Sequence, residues 1–228
     1  MNIIYDSILF DLDGTLWDAS SVTAETWVEV LKNHPGVSCA AEMNAHTVKT
    51  YMGLTNEELA ALFFPDLPFD EAFALMQESC ALENEWLPVR GGTLYPSVRK
   101  TLEALCKSGY RLFIVSNCQD GYIEAFLDAH GMRDVIGDWE CSGRTGLPKA
   151  DNIRAVMNRN GLKNAVYVGD TVSDAVGARG AEIPFVYCLY GFGEAYGRGK
   201  TDDYDAAVET IADLPALLRQ RITEQRKK

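Results

Sequence analysis

From Pro88 to Leu189 the chain alternates short runs of β-branched and aromatic residues with stretches of helical spacing, and that alternation leaves very few folds open. Arg111 to Ser116, Ala165 to Gly169 and Pro184 to Leu189 read as strands, with Val135 to Asp138 as a shorter one. Helices are expected over Tyr95 to Ser108, Gly121 to His130, Asp151 to Asn160 and Ser173 to Ala178. Gly109, Gly131 and Gly161 stand where the first three of these end. Strands joined through helices cannot pair as hairpins. They lie parallel, and the crossovers cover both faces of the sheet. The run Ser7-Ile8-Leu9-Phe10-Asp11, apolar until its last residue, adds another buried strand at the start of the chain. The expected fold class is α/β, a parallel sheet between helical layers.

Between that first strand and Pro88 the pattern is helical. Val22, Trp27, Val28, Val30 and Leu31 recur at helical spacing until Asn33-His34-Pro35-Gly36 stops them. A second helix is expected from Ala40 to Met52. Thr55-Asn56-Glu57-Glu58 is a capping box leading into Leu59, Leu62 and Phe63, and Pro65 ends that helix. Phe69 to Trp86 is the last of the set, closed by Pro88. Residues 18–88 therefore read as a helical module inserted after the first strand. The basic tail from Arg219 to Lys228 reads as a frayed helix end.

Charge and composition narrow the function. Lys and Arg number 21 against 33 Asp and Glu, a net charge of −12, which repels nucleic-acid phosphates; no nucleic-acid partner is expected. Runs such as Leu112 to Val115 are far short of the ~20 apolar residues of a membrane span. Asp6 and Asp11 interrupt the N-terminal region where a signal peptide would be apolar. The six cysteines show no Cys-x-x-Cys spacing and there are only three histidines, which argues against zinc and for reduced thiols in a cytoplasmic protein.

Four segments at strand ends carry the candidate chemistry, where open parallel sheets bind ligands. Asp11-Leu12-Asp13-Gly14-Thr15 sets two carboxylates two residues apart. The same residues also make an ordinary turn. In a site, Asp11 is a nucleophile or metal ligand, and Asp13 a general acid and base, because neighbouring like charges raise one pKa. Ser116-Asn117, an ordinary loop start, offers a hydroxyl and amides to phosphate oxygens. Lys149 precedes or begins the helix through Met157, where a cation opposes the helix dipole unless an anion lies beside it; a solvated lysine is the simpler alternative. Gly169-Asp170-Thr171-Val172-Ser173-Asp174 contains a variant capping box that accounts for Thr171 and Asp174 but not for Asp170. Asp170 and Asp174 brought near Asp11 and Asp13 would form an all-oxygen cluster suited to Mg2+.

In this order the segments Asp11-x-Asp-Gly-Thr-Leu, Ser116-Asn117, Lys149 and Gly-Asp170-Thr-x-x-Asp174 resemble the haloacid dehalogenase superfamily of phosphohydrolases, over nearly the whole chain. The resemblance implies a Rossmann-like, doubly wound core of residues 1–17 and 89–228 with an α-helical cap domain of 18–88 inserted. It departs from its relatives at Lys149-Ala150-Asp151, where Lys-Pro-x-Pro is common, and at Ala178-Arg179-Gly180-Ala181. It implies that Asp11 attacks phosphorus to give an aspartyl-phosphate while Asp13 moves the protons. Mg2+ is then held by Asp11, the Asp13 carbonyl, Asp170 and Asp174, and Thr15, Ser116, Asn117 and Lys149 hold the phosphoryl group.

The expected activity is Mg2+-dependent hydrolysis of a small phosphorylated metabolite by a monomer or homodimer. A sugar-phosphate mutase would use the same intermediate, and a regulatory module would keep its phospho-aspartate for many minutes. Receiver-type regulators are shorter, carry no cap and phosphorylate an aspartate after a later strand. In the helical module His46 and Lys49 lie three apart, either on a solvated face or contacting the substrate's tail. Trp17 reads as core, Met43, Met52 and Met76 as packing of the module, and Gly191-Phe192-Gly193 as a turn.

Overall fold

The computed structural model describes residues 5–197 and 199–220. Most of the basic tail lies outside the described residues. In chain order the elements are β1 (Ser7–Phe10), β2 (Trp17–Asp18), α1 (Ser20–Asn33), α2 (Ala45–Tyr51), α3 (Asn56–Phe63), α4 (Phe69–Arg90), β3 (Thr93–Leu94), α5 (Val98–Lys107), β4 (Arg111–Ser116), α6 (Tyr122–His130), β5 (Asp138–Cys141), α7 (Ser142–Thr145), α8 (Lys149–Asn160), β6 (Ala165–Gly169), α9 (Val172–Gly180), β7 (Phe185–Cys188), α10 (Phe192–Tyr196), β8 (Ala206–Val208) and α11 (Leu214–Leu217).

Six strands form one parallel sheet in the order β5-β4-β1-β6-β7-β8. The earliest strand sits at its centre, with Ser7 to Phe10 paired to β4 on one side and β6 on the other. Side chains alternate between two apolar layers, as the pleat requires. Ile8, Phe10, Ile114 and Val168 pack with α5 and α6 residues such as Leu102 and Phe126. Leu9, Phe113, Val115 and Tyr167 pack with Ile153, Val156, Ala175 and Ala178 of α8 and α9. This is the α/β, doubly wound architecture expected from the alternation.

Helices α1 to α4 leave the sheet after β2 and return at β3, and these two short strands pair antiparallel, Trp17 with Leu94 and Asp18 with Thr93. The helices carry a third apolar cluster of their own, including Trp27, Val30, Phe63, Leu75 and Met76. Trp17 belongs to the main core instead, packed edge-on against Tyr122, Phe126 and His130.

Several boundaries differ from the sequence reading. Pro88 does not close α4, which runs on to Arg90 and stops at Gly91, whose φ is +67° and whose N–H bonds back to Leu87. A proline costs a helix one hydrogen bond, and so close to the end only that bond is lost while the chain carries the helix on to Gly91. The second inserted helix starts at Ala45, capped by the Asn44 side chain, rather than at Ala40. The helix expected from Tyr95 starts at Val98, because Ser97 is left-handed, with φ +69°. The short strand lies at Asp138–Cys141, just after the segment expected, and β8 was not foreseen. Both are edge strands, where pairing with one neighbour decides the conformation and the sequence carries little pattern.

Candidate active site

The tips of β1, β4 and β6 bring three of the four segments together, and α8 supplies the other. Side-chain oxygens of Asp11, Asp170 and Asp174 lie within 4.8 Å of one another. Lys149, only 5% exposed, reaches between them: its Nζ donates to Asp11 Oδ1 at 2.8 Å and to Asp174 Oδ1 at 2.6 Å. It is therefore buried rather than solvated. The anion that balances a cation at this helix start comes from the protein itself. Burial alone would lower the Lys149 pKa, but the carboxylates of Asp11 and Asp174 outweigh it and hold it above its ordinary value.

Asp170 is walled in by residues that only this packing brings together. Thr15 donates its hydroxyl to Asp170 Oδ1 at 3.0 Å, and the Phe192 N–H donates to Oδ2 at 2.7 Å. A Cβ on Gly14, Gly191 or Gly193 would overlap Asp170. The Gly-Phe-Gly turn thus has a second function, to let the backbone close on this carboxylate. Thr171 and Asp174 form the expected capping box at the start of α9, so Asp174 caps the helix with one oxygen and receives Lys149 on the other.

The carboxylates outnumber the one ammonium, and the strain shows in their protonation. Burial first, and then Asp174, push Asp11 up to about 6 against the opposing pull of Lys149. Burial, Asp174 and Asp11 raise Asp170 well above the ordinary carboxylate range. A cluster of oxygen donors with excess negative charge, and with neither imidazole nor thiolate among its members, fits a hard divalent cation such as Mg2+. The Asp13 carboxylate stands outside that group. Its Oδ1 accepts from Tyr122 at 3.0 Å, and burial followed by the charge of Asp11 raises its pKa well above normal. Asp13 thus holds a proton more readily than a free carboxyl does, as a general acid must.

A cavity of about 60 Å3 opens between this cluster and the inserted helices, and Asp11, Asp13, Ser116, Asn117 and Lys149 line its floor. Asn117 also ties segments together: Nδ2 donates to the Gly53 carbonyl at 3.0 Å and to Ser173 at 3.1 Å, and Oδ1 accepts from Ser142. Thr15 is fully buried behind Asp170 and does not line the cavity. Neither do His46 and Lys49. Lys49 pairs with Asp18 at 2.6 Å and lies over the rings of Phe192 and Tyr196, and His46 packs against Tyr196. Met76 packs inside the helical cluster as expected, whereas Met52 faces the cavity.

Sequence reasoning missed Thr23, Glu83, Gln119 and Tyr122, all of which line the cavity. For Glu83 a signal existed. Ala72, Leu75, Met76, Ser79, Cys80, Glu83 and Leu87 form one buried stripe along α4, and a carboxylate within such a stripe is anomalous. The departure at Arg179 also has a structural explanation: its guanidinium binds Asp203 and Asp205, fastening α9 to the segment that leads into β8.

Comparison with known proteins agrees with this geometry. The family model described as haloacid dehalogenase-like hydrolase matches residues 8–188. The chain is 28% identical over 221 residues to a phosphoglycolate phosphatase of Pseudomonas putida, covering 92% of this chain and 78% of that protein. It is 26% identical over 225 residues to one from Vibrio parahaemolyticus, covering 92% and 96%. Among solved structures, a haloacid dehalogenase-like family hydrolase from Streptococcus pneumoniae superposes with a TM-score of 0.73 at 23% identity, covering 94% of this chain and 98% of that one. CbbY from Rhodobacter sphaeroides, solved in complex with phosphate, gives 0.71 at 18% identity, covering 95% and 100%; at such identities the likeness is one of fold. The family match runs unbroken from the strand that carries Asp11 past the turn that carries Asp174, and on that ground the chain belongs to the haloacid dehalogenase-like hydrolases.

Proposed function

We propose that this protein is a Mg2+-dependent phosphatase that hydrolyses a small phosphomonoester through an aspartyl-phosphate on Asp11, with α1 to α4 acting as a cap over the site. The observation that carries the reading is the buried meeting of Asp11, Asp170, Asp174 and Lys149 at the floor of a cavity that also exposes Asp13. The phosphoglycolate phosphatases among the relatives support the reaction class.

Asp11, anchored at the end of the central strand, is in place to attack phosphorus from the cavity floor. As its oxygen bonds to phosphorus, the bond to the ester oxygen breaks, and Asp13 gives that oxygen its proton. Asp13 then takes a proton from the water that displaces Asp11, which regenerates the Asp11 carboxylate and the protonated Asp13 and releases orthophosphate. Lys149 and the Ser116 and Asn117 groups hold the phosphoryl oxygens. Asp11, the Asp13 carbonyl, Asp170 and Asp174 would hold Mg2+, which would supply positive charge to offset the negative charge developing on the phosphoryl group. Covering the site with the inserted helices keeps bulk water from the intermediate.

The test is a panel of phosphomonoesters assayed for released phosphate with Mg2+, with EDTA, and with Asp11→Asn. Hydrolysis that EDTA abolishes, and that Asp11→Asn lowers by about a thousandfold or more, is expected. Equal turnover by Asp11→Asn would end this reading. Isomerised sugar phosphate without released phosphate would make the protein a mutase.

A further inference from the structure

The roof of the cavity carries one carboxyl group, whose pKa burial pushes up to about 7 against the pull of its Gln119 and Trp27 donors, so it is negative above that pH. Glu83 of α4 is 4% exposed and lines the cavity opposite the aspartates. Its two oxygens are held by donors from different parts of the fold: Trp27 Nε1 of α1 at 2.7 Å and Gln119 Nε2, from the loop after β4, at 2.9 Å. Each carboxylate oxygen has a further lone pair to offer. Beside it Thr23, also 4% exposed and lining the same cavity, has a buried hydroxyl with no hydrogen-bond partner among the described residues. Buried hydroxyls without partners are uncommon, and this residue borders the cavity, where a ligand group could complete it.

Cations are as informative. Among the described residues, Lys149 is the only Lys, Arg or His that lines the cavity, and it is engaged by Asp11 and Asp174 on the floor. Lys49, the nearest candidate by sequence, is bound to Asp18 outside the cavity. A substrate whose phosphate lies on the floor extends its leaving group into a space that Glu83 and Thr23 border. Above about pH 7, where Glu83 is ionised, a carboxylate there would meet a like charge with no cation to offset it.

Resting on the phosphatase reading above, we propose that Glu83 and Thr23 form the leaving-group subsite and select a small phosphomonoester whose leaving group carries hydroxyl or ammonium donors, and that they reject one ending in a carboxylate. Thr23 accepts from or donates to its hydroxyls, and Glu83 accepts their hydrogens or those of an ammonium.

The experiment measures kcat/KM of the Mg2+-loaded full chain at about pH 8, where Glu83 is ionised, on three esters of similar size: glycerol phosphate, ethanolamine phosphate and phosphoglycolate. The wild type is expected to favour at least one of the first two over phosphoglycolate by about tenfold or more, the scale of one charged hydrogen bond. Glu83→Gln should narrow that ratio, with the loss on the preferred ester mainly in KM. Thr23→Val should weaken the hydroxyl ester more than phosphoglycolate. Phosphoglycolate ranked first by the wild type, or a ratio unmoved in a folded Glu83→Gln, overturns the subsite while leaving the phosphatase reading intact. The wild-type ranking decides even if a variant fails to fold. No turnover of any ester, these or the wider panel, overturns the phosphatase reading and the subsite with it.

Discussion

Lys149 shows at the residue scale how much a side chain's partners change its meaning. At the start of a helix it reads as a solvated lysine or an anion ligand, yet it is buried and bridges Asp11 and Asp174. Removing one partner from a buried ionic cluster leaves the others uncompensated, at a cost of about 3–5 kcal/mol. Lys149→Ala should therefore lose fold stability as well as turnover. Thermal unfolding in EDTA should show a large fall in Tm, and Mg2+ should restore part of it by offsetting the exposed charge of the two carboxylates. An unchanged Tm in EDTA would mean the ammonium contributes nothing to holding these strand ends together. Asp11 and Asp13 were legible because two acids at the end of an apolar run are rare in a core. Tyr122, which binds Asp13, was not, since nothing in a helix start announces a partner 109 residues earlier.

Among the elements, β5 and α8 are fastened by charge rather than by a long apolar contact. Arg159 binds Asp138 at 2.6 Å and Glu140 at 2.5 Å and also donates to the Trp139 carbonyl. Partial burial would raise the Asp138 pKa, but Arg159 and Asn160 overcome it and hold the carboxyl below its usual value. A carboxyl depressed on folding contributes stability that is complete above its unfolded pKa of ~3.9 and is lost as pH falls through the folded value. The clamp is half-exposed, so its worth is about 1 kcal/mol or less. The Tm gap between wild type and Arg159→Ala should stay constant from pH 7 to 5 and shrink below about pH 4. A gap that persists in acid would assign the effect to packing of the arginine stem. The helices and central strands were legible at this scale, because helical periods and apolar runs are local properties. Edge strand β8 was not, because three residues gain their conformation from pairing with β7.

For the molecule as a whole the decisive feature is that the inserted helices and the sheet share one cavity. Three contacts close it: Asn117 to the Gly53 carbonyl, Gln119 to Glu83, and Asn84 Nδ2 to the Asp120 carbonyl at 2.8 Å. Asn84 touches neither the aspartates nor the cavity, so Asn84→Ala tests closure alone. Its expected effect is a rise in KM of about severalfold with kcat nearly kept and a Tm change equivalent to about 1 kcal/mol, read from steady-state kinetics and thermal melts. Unchanged KM would mean that this contact does not govern access to the site. The alternation of strand and helix, the insertion after the first strand and the acids at the strand ends all follow from patterns within a few residues, so the amino-acid sequence alone determined the architecture and the acidic floor of the cavity. The cavity roof needed the tertiary structure. Glu83, Thr23 and Trp27 come from two helices, and only their packing against the loop after β4 decides which carboxylate of a glutamate-rich helix is buried and which lysines are already engaged elsewhere. Charge balance across a closed space is set by distances in three dimensions, and those are not written in residue order.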